Sequence, residues 1–337
     1  MSHILADYVR ILARGKNGSR DMTFDEALFT MQHMLSGDAL PEQIGAVFML
    51  MRVKEESPEE LAGFAAAINE LWPTGTQADL IWPSYAGKRR QPFWCFLSML
   101  LLNQMGYRIL AHGTESHTAG RIYLHQVFEA FNLPIIRQRD AIASAPSLAY
   151  LPCSVLNPVL QQWLGLKAVL GVRSPINTVM KTLAPAGCTS VQGVFHPNYG
   201  PVHTQAAALN KTSCIVIKGE GGEFEVNPER TCKAHTNING DAIVNGEAML
   251  NGDAVGIEIP GKAPHIEGKL SVPDIQPLAD VWNGVLHNEY AEEAVLRTAA
   301  LALCAIRKSL SYDDCLQEIT ANWQQRQQYG IHLVANV

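Results

Sequence analysis

The stretch MTFDEALFTMQHMLSGDALPEQIGAVFMLMRVKEESPEELAGF, residues 22–64, spells out three helices and the breaks between them. Thr23-Phe-Asp-Glu26 has capping-box spacing, in which a threonine hydroxyl and a glutamate carboxylate three residues on satisfy each other's backbone N–H. An apolar stripe follows at Ala27, Leu28, Met31, Met34 and Leu35, and Gly37 supplies a C-terminal stop. Pro41 suits the first turn of the next helix, whose apolar positions are Ile44, Val47, Phe48 and Met51. Ser57-Pro-Glu-Glu60 is a second capping box, opening a helix with Leu61, Phe64, Ala65 and Ile68 on one face. Tight connections between short amphipathic helices predict a small bundle. Arg14-Gly-Lys-Asn-Gly-Ser-Arg20, just before it, is a basic loop of the kind that solubility alone explains.

Downstream of about residue 78 the period changes. Leu80-Ile-Trp82 reads as a strand ending at Pro83-Ser-Tyr-Ala-Gly87, Pro92 to Leu102 as a buried helix, and Tyr107-Arg-Ile-Leu-Ala111 as a strand ending at His112-Gly113. A further helix contains Val127 to Phe131, Pro134-Ile-Ile136 is a candidate strand, and Ser213-Cys-Ile-Val-Ile217 is the clearest later strand. Residues 240–270, rich in Gly, Pro and Asp, read as loops and short strands. Glu292 to Leu310 and Asp313 to Gln327 read as helices. Alternating strands and helices predict an α/β domain with a mainly parallel central sheet, whose ligand loops lie at the carboxyl ends of its strands. Those loops are Pro83 to Arg90, His112 to Arg121 and Lys218 to Glu225.

At 337 residues, 47% hydrophobic and 17% charged, the chain has material for two domains and is not intrinsically disordered. The apolar run Phe93 to Leu102 is about half a membrane span, and MSHILADYVR lacks the pattern of a secretory signal. Seven cysteines with no CxxC pair are expected to be reduced, buried thiols in the cytoplasm, and they exclude a CxxC zinc site. No Walker, GxSxG or HExxH pattern occurs. His196-Pro197 and His203 lack ligand-spaced partners and read as loop or core residues. Glu220, Glu223 and Glu225 flank a glycine turn that would leave them solvated.

Net charge is −6, yet residues 80–218 hold twelve Lys/Arg against three acids, a local +9. Such asymmetry fits a surface for an anionic partner; the alternative is basic and acidic segments facing one another across folded interfaces.

Residues 22–64 resemble the N-terminal helices of the anthranilate phosphoribosyltransferase family, glycosyltransferase family 3, and the resemblance continues through NPVLQQWLGLKAVLGVRSPIN (157–177) to about residue 230. It implies a phosphoribosyltransferase and nucleoside phosphorylase type of fold. The helical, dimerising domain would comprise residues 1–75 plus part of 155–185, and the α/β domain 76–154 and 186–337. It also implies a homodimer and, for active members, phosphoribosyl transfer from phosphoribosyl pyrophosphate with magnesium.

The family's catalytic motifs are eroded. Its Gly-Thr-Gly-Gly-Asp loop, where backbone N–H groups meet pyrophosphate, stands here as Pro83-Ser-Tyr-Ala-Gly87. Lys-His-Gly-Asn-Arg has become Ala111-His-Gly-Thr-Glu115, and Asp-Val-Leu-Glu-Ala-Leu-Gly has become Gln126-Val-Phe-Glu-Ala-Phe-Asn132. The anthranilate-binding arginine aligns with Lys167, and the metal-binding Asp-Glu pair with Phe224-Glu225. Ser84, Tyr85, Gly87, His112, Gly113 and Thr114 are then a vestigial phosphate loop. No catalytic residue, metal or cofactor is expected.

The departures are similar to those of the YbiB-like branch, which keeps the dimeric fold, lacks the parent activity and binds nucleic acid with little sequence preference. This implies binding of DNA or RNA through Lys88, Arg89, Arg90, Arg121, Lys167, Arg173 and Lys181, with Trp82, Tyr85 and Trp94 available to stack bases. The alternatives are a glycosyl or phosphoribosyl transferase with an altered acceptor, using magnesium and phosphoribosyl pyrophosphate, and an interaction protein with no nucleic-acid role.

Overall fold

The computed structural model describes residues 3–15, 17–115, 118–237, 243–244, 247–248, 255–309, 311–326 and 333–334. Lys16 of the basic loop, and parts of the 240–270 region and of the final segment, lie outside them.

Four helices make the N-terminal bundle: α1 (Ala6–Ala13), α2 (Phe24–Ser36), α3 (Pro41–Lys54) and α4 (Pro58–Asn69). Both expected capping boxes form, Thr23 with Glu26 and Ser57 with Glu60, and Gly37 closes α2 in the left-handed region at φ 85°. The sequence reading missed α1, which is short and has no side-chain cap at Leu5. Helices α2 and α4 approach closely at Gly63, where a Cβ would lie 2.5 Å from the Phe24 carbonyl oxygen. Glycine is what permits that approach.

The second layer is a seven-stranded sheet. Its strands are β1 (Leu80–Ser84), β2 (Ile109–Gly113), β3 (Leu148–Pro152), β4 (Thr189–Val194), β5 (Ser213–Lys218), β6 (Cys232–Asn237) and, after the short ribbon β7 (Ile243–Val244) and β8 (Glu247–Ala248), β9 (Val255–Ile259). The order is β3-β2-β1-β4-β5-β6-β9, parallel from β3 to β5 and antiparallel beyond. Strand β1 runs through Pro83, two residues past its expected end. Its pairing with β4 is confined to Ile81 opposite Ser190, so the missing proline N–H interrupts no bond on that side. Pro134-Ile-Ile136 is a single bridge from Ile135 to Tyr150 rather than a strand.

Helices α5 (Trp94–Gln104), α6 (Leu124–Ala130), α12 (Gln276–Trp282), α13 (Glu289–Arg307) and α14 (Tyr312–Gln325) belong to the α/β layer. Between β3 and β4 lie α7 (Cys153–Leu156), α8 (Pro158–Gly165), α9 (Lys167–Leu170) and α10 (Ile176–Val179), and α11 (Tyr199–Leu209) joins β4 to β5. Leu160, Trp163, Ile176 and Met180 share a buried cluster with Phe48, Met51, Leu61 and Phe64 of the bundle, and the Phe48 and Trp163 rings meet edge to face at 5.8 Å. That contact seats the bundle beside the carboxyl ends of the central strands. All seven cysteines are free and buried. No helix among the described residues is long and apolar enough to cross a membrane.

Candidate anion-binding cleft

The loop after β1 is fastened from two sides by its own chain. The N–H groups of Ala86 and Gly87 both donate to the Glu223 carboxylate, at 2.8 and 2.7 Å. From the opposite side the Arg121 guanidinium donates to the carbonyls of the same two residues, each at 2.9 Å. Adjacent backbone N–H groups of this kind are what an anion needs. Here the anion is a side chain that the turn at 219–225 delivers. Glycine at 193 and 219 lets that turn pack tightly: a Cβ on Gly219 would lie 1.5 Å from the Glu223 carbonyl oxygen.

Lys88 and Glu225 form a second internal lock. Lys88 Nζ lies 2.6 Å from Glu225 Oε1, with side chains 2% and 0% exposed, and the other Glu225 oxygen accepts from the Cys95 N–H at 2.9 Å. Burial alone would lower the Lys88 ammonium, but the adjacent Glu225 carboxylate outweighs it and holds the pKa above the ordinary lysine value. Two sequence expectations are corrected here. Glu223 and Glu225 are buried rather than solvated. Lys88 points into the protein, because an ammonium next to a buried carboxylate has nowhere better to go, so it faces no phosphate.

Tyr85, His112 and Leu183 form a buried relay. Tyr85 Oη lies 2.8 Å from His112 Nδ1, and His112 Nε2 lies 3.1 Å from the Leu183 carbonyl. A carbonyl only accepts, so the proton sits on Nε2 and Nδ1 accepts from the tyrosine. Burial lowers the imidazole to about 4, which keeps it neutral. Gly113 is a packing residue: a Cβ there would meet the Ser84 carbonyl oxygen at 2.1 Å. Thr114 is buried and donates to Gln161 at 2.9 Å. Ser84, Tyr85, His112, Gly113 and Thr114 therefore sit in the interior, and Gly87 (φ 69°) packs against Tyr123. Trp82, Tyr85 and Trp94 are buried too, which removes all three as base-stacking surfaces.

In front of this sealed loop lies a cleft of about 290 Å³, lined by four cations: Arg52, Arg121, Arg173 and Lys181. Arg52 comes from the last turn of α3, Arg121 from the segment before α6, Arg173 from the segment after α9 and Lys181 from the turn after α10. Among the described residues, no carboxylate lines the cleft and none lies within ion-pair distance of these four. Burial lowers the pKa of Arg173, and the charges of Arg121 and Arg52 lower it further. The Lys181 ammonium, lowered to about 8 by burial, is aimed by the carbonyls of Gly193 (2.6 Å) and Gly222 (2.9 Å). Ser174, 3% exposed, also lines the cleft, and its hydroxyl has no protein partner among the described residues. The Glu223 carboxylate behind the loop acts on Arg173 and Lys181 only at a distance, so like charges that lack a contacting counter-ion surround an unsatisfied hydroxyl, an arrangement suited to an anion.

Of the seven basic residues expected at the site, Arg121, Arg173 and Lys181 meet in the cleft. Arg89 and Arg90 are exposed, just beyond the sealed loop; Lys167 begins α9 and does not line the cleft; Lys88 is internal. Sequence reasoning missed Arg52, which looks like ordinary C-terminal helix charge, and Ser174. No arrangement of three or more His, Cys, Asp or Glu that could hold a metal occurs among the described residues.

Residues 6–71 match the helical bundle domain of the glycosyl transferase family. The chain is 28% identical to the uncharacterized protein YbiB of Escherichia coli K12 over 239 residues, 66% of this chain and 74% of that one. It is 26% identical to the anthranilate phosphoribosyltransferase of Anaeromyxobacter sp. Fw109-5 over 210 residues, 60% of this chain and 62% of that enzyme, less than two thirds of its length. Among solved structures, it superimposes on anthranilate phosphoribosyltransferase (TrpD) from Thermus thermophilus with a TM-score of 0.70 at 18% identity, covering 96% of this chain and 98% of the other. The Saccharomyces cerevisiae enzyme in complex with PRPP and Mg gives 0.71 at 12% identity, covering 98% and 97%. At these identities the structural likeness shows the fold: a helical N-terminal domain and an α/β domain with a mostly parallel sheet.

Proposed function

We propose that this chain is an anthranilate phosphoribosyltransferase-like protein whose phosphoribosyl pyrophosphate site is degenerate, and which binds nucleic acid through its phosphate backbone without strong sequence preference. The observation that carries this is the cleft of four cations with no carboxylate among its described lining residues, set before a loop whose N–H groups are already occupied by Glu223. Phosphate contacts give affinity without reading bases. Arg52, Arg121, Arg173 and Lys181 make the inner contacts, and Arg89 and Arg90 extend them outward. The proposal carries with it a helical domain of residues 1–75 plus part of 155–185, and a homodimer that doubles the phosphate track.

A transferase with an altered acceptor would use the same cleft for phosphoribosyl pyrophosphate. Two features oppose it. The backbone donors that would cradle pyrophosphate are taken, and Glu225, aligned with a metal ligand, is spent on Lys88. Isothermal titration with phosphoribosyl pyrophosphate and magnesium should therefore show binding no tighter than about millimolar, ~4 kcal/mol. Micromolar, magnesium-dependent binding would transfer the conclusion to the transferase.

A further inference from the structure

Beside the cationic cleft lies a second pocket of about 260 Å³, lined by Lys218, Arg230, Lys233 and His235 together with Pro197, Glu220 and Asn227. Lys218 stands at the carboxyl end of β5, and Arg230 and Lys233 flank the start of β6; all three are exposed. The pocket holds one carboxylate, Glu220, whose Oε2 accepts from Asn227 at 2.8 Å; Lys233 reaches Glu258 at 3.7 Å across the open surface. Excess charge is therefore positive here as well.

Two short segments separate the pockets. Phe195 and His196 line the first and Pro197 the second, while Gly221 lines the first and Lys218 to Glu220 the second. On this ridge stands Phe195, a large aromatic side chain left 59% exposed, with His196 edge-on at 5.0 Å. It directly follows β4, at the carboxyl ends where the phosphate-facing residues gather. Exposing a phenylalanine to water between two cationic pockets has no packing advantage, since it forgoes the gain of burying the ring.

We infer that Phe195 is a base-stacking platform between two phosphate pockets, and that the ligand is single-stranded nucleic acid. Its backbone would run from the Arg52, Arg173 and Lys181 cleft over the ridge to Lys218 and Arg230, turning one base onto the ring. A duplex keeps its bases stacked internally and offers no free face, so Phe195 discriminates between the two forms. This rests on the phosphate-binding reading above and names its ligand class.

The test is fluorescence anisotropy at fixed low salt with an oligo(dT) strand and a duplex of equal length. Phe195→Ala and Phe195→Leu should each weaken oligo(dT) binding about tenfold, Phe195→Tyr should retain it, and all three should leave duplex binding within about twofold. Leucine keeps apolar bulk without a π face, so a shared loss in Ala and Leu assigns the effect to stacking. Equal losses on both ligands, or no loss on oligo(dT) while the unmutated protein binds both, would overturn the stacking role alone. An unmutated protein that binds neither ligand would overturn the phosphate-binding reading as well.

Discussion

Replacing Arg52 and Arg173 together with alanine should lower affinity for nucleic acid about a hundredfold at low salt, taking ~1.4 kcal/mol for each charge-assisted contact. The two are the cleanest probes of the cleft. Neither side chain makes a hydrogen bond or ion pair among the described residues, whereas Arg121 also holds the carbonyls of Ala86 and Gly87 and Lys181 is fixed by Gly193 and Gly222. Removing like charges that repel each other should leave the melting temperature unchanged or slightly raised. The loss should be equal for unrelated sequences, because phosphate contacts position the ligand without specifying it. Gel-shift titration of the double variant on two unrelated sequences reads this directly, and an unchanged affinity would place the site elsewhere.

The second large effect concerns stability. Glu225→Ala strands the Lys88 ammonium in an interior where it is 2% exposed. Removing one partner of such a pair costs about 3–5 kcal/mol, because the other charge is left uncompensated. For a chain of this size the melting temperature should fall by roughly 4–7 °C. The double variant Lys88→Met, Glu225→Leu should recover most of it, since an apolar pair of similar volume is often as stable as the ion pair it replaces. A calorimetric cycle over the unmutated protein, Lys88→Met, Glu225→Leu and the double variant checks the coupling. Additive losses would mean that Lys88 and Glu225 do not depend on one another, and that Lys88 is free to serve the surface.

The bundle was legible in the sequence because Thr23, Ser57, Gly37 and Pro41 act locally, through bonds to residues three or four positions away. Strands β3 and β4 were not. Leu148-Ala-Tyr-Leu-Pro152 ends in a proline, and Thr189-Ser-Val-Gln-Gly-Val194 is broken by Gln192 and Gly193. Both strands are buried by tertiary packing rather than by any pattern of their own. Gly193 is there because the backbone of Glu223 and Phe224 passes within 2.6 Å of where its Cβ would be.

The site divides in the same way. Charge asymmetry pointed to residues 80–218, and three of its cations do converge. The direction of Lys88 depended on Glu225, 137 positions away, which no local pattern reports. Arg52 lay outside the basic segment altogether, brought in by the fold of the bundle. The eroded phosphate loop was visible as lost glycines, but its filling by the Glu223 carboxylate appeared only once the turn at 219–225 was placed against it.

The central claim is that a local cluster of cations, within a chain of net charge −6, binds phosphate backbones. It is tested most directly by the salt dependence of binding to DNA of unrelated sequences. The four inner cations with Arg89 and Arg90 neutralise about four to six phosphates per subunit, which predicts that the logarithm of the affinity falls with the logarithm of salt concentration with a slope of about −4 to −5, the same for each sequence. A slope near zero, or no binding at low salt, would contradict the account.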